Sequence, residues 1–154
     1  MSKRIFVVRH GEYDFKEGLP LSEKGKEQAR RAGEELAKLG MTGSTVLTSS
    51  AKRTVETAEE ITKSIGGVGP FAHSRLYNES ITPWVITDFD QFIDDLLREN
   101  DQEYIPEGVV IVSHAELLLS LSPSLKSMGQ VAFCETVEYM PGTWKQQTLE
   151  SFSH

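Results

Sequence analysis

Hydrophobic residues along the chain fall into short continuous runs that alternate with longer stretches of helical periodicity. Residues 4–8 form a short, β-branched apolar run, and residues 109–112 form the clearest one. A further run occupies residues 45–48, and a weaker one occupies residues 71–77 after a glycine-rich stretch, residues 66–70, that is predicted to be a loop. Short apolar runs bounded by turn residues are typical of buried strands, so four strands are predicted here.

The stretches between these runs have the spacing of amphipathic helices. Ser22 is the predicted N-cap of a helix that runs to about Leu39, where Gly40 ends it. Ser49 and Ser50 are predicted to cap a second helix, because serine side chains accept hydrogen bonds from the first N–H groups of a helix. The predicted apolar faces are formed in the first helix by Ala29, Ala32, Gly33, Leu36 and Leu39, and in the second by Val55, Ala58, Ile61 and Ile65.

The second half of the chain continues the same alternation. A third helix is predicted to open at residues 87–90, and a fourth is predicted to follow residue 114 as far as about residue 121. Residues 131–139 and 147–152 are predicted to be closing strands. Strands that alternate with helices predict an α/β fold with a mainly parallel sheet, and a chain of 154 residues suits one domain, residues 1–154.

Three of the predicted strands end in polar residues. Open α/β sheets bind ligands at the carboxyl ends of their strands, so residues placed there meet in one crevice when the strands are parallel neighbours. The three polar sequences are Arg9-His10-Gly11, Thr48-Ser49-Ser50 and Ser113-His114. We therefore expect a binding or active site at this edge of the sheet.

Composition excludes several classes of protein. With 38% hydrophobic and 25% charged residues, the chain is not expected to be disordered throughout. The single cysteine, Cys134, excludes an internal disulfide and a cysteine-rich metal site, and it fits a reducing compartment. The first apolar run is too short for a signal peptide, and no stretch approaches a membrane span. A cytoplasmic location without membrane association is the resulting expectation.

Charge is unevenly distributed along the chain, whose formal net charge is −7. Residues 1–77 hold 13 Lys and Arg against 10 Asp and Glu, whereas residues 78–154 hold 3 against 13. A net-acidic protein is a poor candidate for general nucleic-acid binding, because neutralisation of phosphates dominates that affinity. The first half, with its excess of positive charge, is still able to hold a local anion site.

His10 has the surroundings expected of a nucleophile. Arg9 beside it opposes protonation of the imidazole and so preserves a lone pair for attack, while Gly11 lets the backbone turn. Arg53 near the start of the second predicted helix brings a guanidinium and helix N–H groups to the same anion. Taken singly, His10, Arg53 and His114 are each more often structural. Together they suit phosphoryl transfer through histidine, with arginines supplying the charge that a metal supplies elsewhere, so no metal and no cofactor are predicted.

Four motifs in this order resemble those of the histidine phosphatase superfamily, the phosphoglycerate-mutase-like proteins. They are Val7-Val8-Arg9-His10-Gly11-Glu12, the helix start Leu21-Ser22-Glu23-Lys24-Gly25-Lys26-Glu27-Gln28-Ala29, the segment Ser49-Ser50-Ala51-Lys52-Arg53-Thr54-Val55-Glu56-Thr57-Ala58, and Val112-Ser113-His114. The resemblance covers residues 5–121 and implies a single-domain, three-layer α/β/α fold with a mainly parallel central sheet. It also implies that His10 is the nucleophile that becomes phosphohistidine, and that Arg9, Gly11, Arg53 and His114 bind the phosphate.

The general acid is left open between two glutamates. The family usually places a Glu after the third strand, and Glu79 matches that position, although the residues after it depart from the family pattern. Glu116 follows His114 as in the His-Ala-Glu proton-donor motif of a distant branch that contains inositol polyphosphate phosphatases. The order of the motifs favours Glu79 as the catalytic acid, and Glu116 is then expected at the substrate-binding site.

The leading functional hypothesis is a metal-independent phosphatase that hydrolyses phosphate monoesters or phosphohistidine through a phosphohistidine intermediate on His10. Its expected partner is a phosphorylated small molecule or a phosphohistidine protein. Two alternatives stay open, namely a phosphoglycerate-mutase-like phosphoryl transferase and a non-catalytic phosphate-binding regulatory module. Four aromatic residues are placed near the rim of the site, where they either contact substrate or serve packing, namely Tyr13, Phe15, Tyr77 and Trp84.

Overall fold

The computed structural model describes residues 4–72, 76, 108–115, 117–118, 131–139 and 146–148. In chain order the strands and helices are β1 (Arg4–Arg9), α1 (Glu23–Lys38), β2 (Thr45–Thr48), α2 (Lys52–Ile65), β3 (Val68–Ala72), β4 (Gly108–Ser113), β5 (Thr136–Tyr139) and β6 (Gln146–Thr148). Ala115, Leu117 and Leu118 are also helical, as expected for a helix after residue 114. The helix predicted to open at residues 87–90 lies outside the described residues.

The six strands form one sheet in the order β3-β2-β4-β1-β5-β6. The strands β3, β2, β4 and β1 pair in parallel with their neighbours, whereas β5 pairs antiparallel with β1 and with β6. The prediction of a mainly parallel α/β sheet is therefore confirmed. Because β1 and β4 are central, both of their faces must be covered, and this explains why their sequences are continuous apolar runs rather than alternating ones.

Alternate residues of β1 divide the core into two layers. Ile5 and Val7 pack on one face of the sheet together with Leu117 and Leu118 from the helical residues after β4. Phe6 and Val8 pack on the other face against side chains of α1 and α2. This division follows from the two-residue period of a strand and gives the helix-sheet-helix layering that the resemblance implied.

The first helix begins and ends where local signals predict. Ser22 is the N-cap of α1, and its hydroxyl accepts a hydrogen bond from the Gly25 N–H at 3.0 Å. Leu39 is the C-cap, and Gly40 follows it with a φ of 89°, a backbone conformation that glycine adopts without strain. The predicted apolar residues Ala29 and Leu36 are fully buried.

The prediction that Ser50 caps the second helix is wrong. The N-cap of α2 is Ala51, with no side-chain hydrogen bond, and Ser50 is exposed. Ser49 does not cap the helix either, because its hydroxyl contacts Thr54 and a histidine across the sheet. Arg53 is consequently the second residue of α2 rather than the third residue after a serine cap.

Two strand boundaries also differ from the predictions. Residues 68–72 form β3, so that the predicted loop at residues 66–70 becomes largely strand, while residues 73–75 and 77 of the predicted strand lie outside the described residues. The backbone of β2 provides pairing partners that the local sequence does not reveal, and an edge strand tolerates Pro70. Residues 131–135 are not a strand, since they turn at Cys134, whose φ is 58°.

Within the described residues, no helix has both the length and the apolar character required to cross a membrane.

Candidate active site

The carboxyl ends of three neighbouring strands meet, as the sequence predicted. β4 lies between β1 and β2, and the register pairs Arg9 with Ser113 and Thr48 with Val112. His10 follows Arg9, Ser49 follows Thr48 and His114 follows Ser113. The three residues therefore lie at the same edge of the sheet. The rings of His10 and His114 are 5.5 Å apart, between centroids, and meet edge to face.

Backbone hydrogen bonds hold His10 on both sides. Its N–H donates to the Ser113 carbonyl at 3.1 Å, and its carbonyl accepts from the Cys134 N–H at 3.2 Å. The side chain is 3% exposed. Its Nδ1 atom lies 2.9 Å from the Gly11 carbonyl oxygen, which is only able to accept, so Nδ1 carries the proton. In the neutral ring the lone pair is therefore on Nε2.

The environment of His10 keeps its imidazole neutral. The pKa of His10 is lowered from 6.5 to about 3, mainly by burial and also by the charges of Arg9, His114 and Arg53, against the opposing effect of the Gly11 hydrogen bond. Because the unprotonated ring is the nucleophilic form, the Nε2 lone pair is present throughout the neutral pH range.

Gly11 is required by a close backbone approach to α1. A Cβ atom at Gly11 would lie 2.7 Å from the Gly25 carbonyl oxygen, and one at Gly25 would lie 2.0 Å from the Glu12 carbonyl oxygen. The Gly11 N–H donates to the Thr57 hydroxyl of α2 at 3.0 Å. The two glycines thus let the turn after His10 rest directly on both helices.

Each arginine of the site lies against an aromatic ring. The guanidinium carbon of Arg9 is 4.4 Å from the ring centroid of Phe133, and that of Arg53 is 5.4 Å from the ring centroid of Tyr13. Both distances are typical of cation–π contacts. Arg9 also donates from Nη1 to the Val131 carbonyl. The Tyr13 and Phe133 rings lie 5.4 Å and 6.1 Å from the His10 ring, so the two rings that contact the arginines also lie beside His10.

Two hydroxyl groups connect His114 to the start of α2. The Nε2 atom of His114 lies 3.0 Å from the Ser49 hydroxyl oxygen, which lies 2.5 Å from that of Thr54. The Thr54 hydroxyl is also 2.8 Å from the Ala51 carbonyl oxygen and 3.0 Å from the Ser49 carbonyl oxygen.

The direction of these hydrogen bonds follows from the number of protons. Carbonyl oxygens only accept, so the single hydroxyl proton of Thr54 is donated to a carbonyl. The short contact between the two hydroxyl oxygens then requires the proton of Ser49. Ser49 has no further proton to donate, so it accepts from His114, whose Nε2 must be protonated. His10 and His114 therefore differ, with a lone pair on Nε2 of the first and an N–H on Nε2 of the second.

The structure brings together Arg9, His10, Gly11, Arg53 and His114 among the predicted site residues. Glu79 and Glu116 lie outside the described residues, as do Tyr77 and Trp84. Sequence reasoning placed Ser49 at a strand end and predicted it to be a helix cap, not a partner of His114, and it assigned no role to Thr54, Thr57 or Phe133. Ser49, Thr54 and Thr57 lie in the motif that contains Arg53, and that motif was the signal available for them, whereas Phe133 carried none.

Cys134 lies behind the site and is not a nucleophile of it. Its thiol is fully buried, and this burial raises the pKa of Cys134 to about 12, against a smaller opposing effect of Arg9. A thiol with such a pKa is almost never a thiolate near neutral pH, and Cys134 instead packs in the hydrophobic core. Among the described residues, no three His, Cys, Asp or Glu side chains are grouped so as to hold a metal ion.

This arrangement of a buried histidine, paired arginines and a second histidine at the ends of parallel strands agrees with a comparison against protein families. Residues 5–90 match the model of the histidine phosphatase superfamily (branch 1). The chain belongs to this superfamily, and the matched residues contain β1, α1, β2, α2 and β3 with the first two strand-end motifs.

Curated relatives carry phosphatase names. The mitochondrial serine/threonine-protein phosphatase Pgam5 of Caenorhabditis briggsae is 26% identical over 165 residues, which cover 99% of this chain and 56% of that protein. The protein of the same name from Rattus norvegicus is 35% identical over 71 residues, covering 44% of this chain and 25% of that protein. The chain thus spans little more than half the length of the first relative.

Solved structures show the same fold. The protein histidine phosphatase SixA, complexed with tungstate, superposes with a TM-score of 0.67 at 17% identity, covering 96% of this chain and 94% of that one. A mycobacterial glucosyl-3-phosphoglycerate phosphatase, complexed with VO3, gives a TM-score of 0.66 at 19% identity, covering 96% and 97% of the two chains. At these identities the likeness defines the fold and leaves the substrate open.

Proposed function

We propose that this protein is a metal-independent phosphatase that hydrolyses phosphate monoesters or phosphohistidine through a covalent intermediate on His10. The observation that carries the proposal is the Nδ1–H hydrogen bond of His10 to the Gly11 carbonyl. That bond leaves the lone pair on Nε2, and the low pKa of His10 keeps it there. A buried, neutral imidazole that is influenced by the charges of two arginines has the properties of a nucleophile toward an anionic phosphoryl group.

Arg9, Arg53 and His114 are proposed to bind the phosphoryl oxygens. Two guanidinium groups offset the charge that spreads over the equatorial oxygens during transfer, which is the task of Mg²⁺ in other enzymes. The Nε2–H of His114 donates to Ser49, so the proposed contribution of His114 to phosphate binding is the positive charge of its protonated ring. Gly11 lets the adjoining backbone come close to the site.

The proposed reaction has two steps that balance in atoms and charge. Nε2 of His10 forms a bond to phosphorus while the bond from phosphorus to the leaving group breaks, and the leaving oxygen or nitrogen takes a proton from Glu79 or Glu116. A water molecule then attacks the phosphohistidine, loses its proton to the same carboxylate and releases inorganic phosphate. The carboxyl group ends in the state in which it began.

Rapid quench of the enzyme with radiolabelled substrate tests the covalent step. We expect label on His10 that is labile in acid and stable in base, and no label in His10→Ala. His114→Gln is the matched variant, because it removes the second histidine but retains the nucleophile, and it should slow formation of the same adduct without moving it. Label on another residue would contradict the assignment of His10.

The same experiment separates the two alternatives. A phosphoryl transferase would pass the label from His10 to an added acceptor alcohol instead of releasing inorganic phosphate. A non-catalytic binding module would bind phosphate without turnover of any ester. Release of labelled phosphate to water at the rate at which the adduct decays is the result expected for a phosphatase.

A further inference from the structure

A short row of aromatic rings leads from the nucleophile to the surface. The Tyr13 ring lies 5.4 Å from the His10 ring, and the Phe15 ring lies 5.5 Å from that of Tyr13. Phe133 contacts both inner rings, at 6.1 Å from His10 and 6.2 Å from Tyr13. Phe15 is 89% exposed and is the most exposed large hydrophobic residue of the described part of the chain. The row therefore begins buried and ends in solvent.

The loop that presents Phe15 is fixed at its base. Tyr13 and Leu21 form an antiparallel bridge, and the Asp14 N–H donates to the Pro20 carbonyl at 2.8 Å. Within the loop, the Leu19 N–H donates to the Lys16 carbonyl at 2.8 Å. An exposed phenyl ring on a closed, hydrogen-bonded turn is a preorganised contact surface, since little chain entropy is lost when a ligand meets it.

Tyr13 and Phe133 have a structural reason to be aromatic, whereas Phe15 does not. Tyr13 supports Arg53 and Phe133 supports Arg9 through cation–π contacts. The one ring contact of Phe15 within the described residues is with Tyr13. An exposed phenyl ring next to a polar site is unfavourable in water, and a ligand that covers it removes that cost.

We propose that Phe15 and Tyr13 form a subsite for an aromatic ring on the group that delivers the phosphate. This inference rests on the proposed function. Attack by Nε2 places the leaving group on the far side of the phosphorus, and for a nucleophile that is 97% buried the far side is the solvent side, where the row of rings ends. A flat ring there meets Phe15 and Tyr13 in edge-to-face or offset geometry. The phenyl ring of phosphotyrosine and the imidazole of phosphohistidine share this chemistry.

Two matched esters test the subsite without a change in leaving-group chemistry. Benzyl phosphate and cyclohexylmethyl phosphate both release a primary alkoxide and have similar size, but only the first has an aromatic ring. We expect a higher kcat/KM for the benzyl ester, and a fall in the benzyl-to-cyclohexylmethyl ratio of about three- to tenfold in Phe15→Ala. Phe15→Leu should lose the ratio as well, and Phe15→Tyr should restore it. Val68→Ala, which removes an exposed apolar side chain from β3, should leave the ratio unchanged.

Two peptides then distinguish the sources of the ring. A phosphotyrosine peptide and a phosphohistidine peptide are compared with a phosphoserine peptide of the same flanking sequence, in the wild type and in Phe15→Ala. For each ring-bearing peptide, kcat/KM is divided by the value for the phosphoserine peptide. The peptide whose ratio falls in Phe15→Ala is the one whose aromatic ring binds the subsite. A benzyl-to-cyclohexylmethyl ratio near one in the wild type, or one that Phe15→Ala and Val68→Ala alter equally, would overturn the subsite.

A binding measurement keeps this inference separate from the proposed function. Benzylphosphonate and cyclohexylmethylphosphonate cannot be hydrolysed at the ester position, so their dissociation constants report the subsite alone. Tighter binding of the benzyl compound that is lost in Phe15→Ala supports the subsite even if no ester is turned over, in which case only the phosphatase proposal fails. Equal binding of both compounds by an active enzyme rejects the subsite and leaves the phosphatase intact.

Discussion

The Nε2 atom of His114 lies 3.0 Å from the Ser49 hydroxyl oxygen and acts as the donor of that hydrogen bond. This direction follows from the hydrogen bonds of Thr54. Its hydroxyl donates to a backbone carbonyl, so its oxygen accepts a hydrogen bond from the Ser49 hydroxyl. In His114, the second histidine of the site, the Nε2 atom therefore carries a proton that faces Ser49. Ser49 and Thr54 act on it as positioning residues at the start of α2.

Replacement of Ser49 by alanine should remove the hydrogen bond that keeps the proton on Nε2 of His114. We expect kcat/KM to fall about tenfold, because one part-buried hydrogen bond to a positioned ring is lost. Nitrogen-15 NMR of the imidazole measures the tautomer directly. It should show a protonated Nε2 in the wild type and a mixture of tautomers in Ser49→Ala.

Ser64→Ala is the matched control for this prediction. The Ser64 hydroxyl donates to the Glu60 carbonyl within α2 and is far along that helix from the site. The control should retain both activity and the His114 spectrum. A wild-type spectrum with the lone pair on Nε2 of His114 would contradict the deduced direction of the hydrogen bonds.

Stability should fall with decreasing pH because of His10. The pKa of His10 is about 3 in the folded protein and near 6.5 when the chain is unfolded, so between these values only the unfolded chain binds the proton. The contribution of His10 to the free energy of unfolding is therefore fully present above pH 6.5 and is lost as the pH falls toward 3. Between pH 7 and pH 5 the loss is about 2 kcal/mol.

His10→Gln isolates this contribution, because glutamine does not titrate but offers an amide N–H to the Gly11 carbonyl. Urea unfolding of both proteins at pH 7, 6 and 5 gives the two free energies of unfolding. The wild type should lose about 2 kcal/mol more than the variant over this range. Parallel curves for the two proteins would mean that the His10 imidazole is not held neutral in the folded state.

The identity of the general acid is predicted to appear as a contrast between substrates. If Glu79 is the acid, Glu79→Gln should slow hydrolysis of ethyl phosphate by about 10²–10⁴-fold, because its alkoxide needs a proton to leave. The same variant should affect p-nitrophenyl phosphate much less. Steady-state kinetics of both esters measure the contrast.

Glu116→Gln is the companion variant and should have a small effect, or strengthen phosphate binding by removing a negative charge near the anion. The reverse pattern would transfer the acid role to Glu116. If both variants hydrolyse both esters at the wild-type rates, no carboxyl acid operates, and a phosphohistidine substrate, whose leaving group departs with little help, is favoured.

Removal of divalent metals is predicted to leave the rate unchanged. Arg9 and Arg53 are proposed to supply the positive charge at the phosphoryl group, so exhaustive treatment with a chelator should not alter kcat/KM. Vanadate should inhibit, because it adopts the trigonal-bipyramidal geometry of the transferring phosphoryl group. A loss of activity that Mg²⁺ or Zn²⁺ restores would contradict metal independence. Arg53→Ala is a useful companion, since it should weaken the inhibition by vanadate.

Local signals were sufficient for the elements whose ends are determined by neighbouring residues. The Ser22 cap and Gly40 end of α1, and the apolar runs of β1 and β4, were all predicted. The convergence of strand-end residues also followed, because parallel neighbours place their carboxyl ends together. These features depend on sequence patterns only a few residues long.

Features that depend on distant partners were not predictable from local sequence. Ser50 was expected to cap α2, but the cap is Ala51, and Ser49 binds His114 instead. Residues 68–72 form a strand because β2 pairs with Val68, Phe71 and Ala72. Phe133 reaches Arg9 from a turn far along the chain, and neither its position nor its contact has a signature in its neighbours.

The backbone contact between Glu12 and Ser22 has an evolutionary consequence. The Ser22 N–H donates to the Glu12 carbonyl at 3.0 Å, so the chain returns after residues 13–21 to the point from which it left. Because the ends of this loop are joined by a hydrogen bond, we expect insertions, deletions and substitutions at its tip to leave the position of His10 unchanged. Because loops tolerate such change better than the elements they connect, related chains are able to diversify the mouth of the site while inheriting the same chemistry.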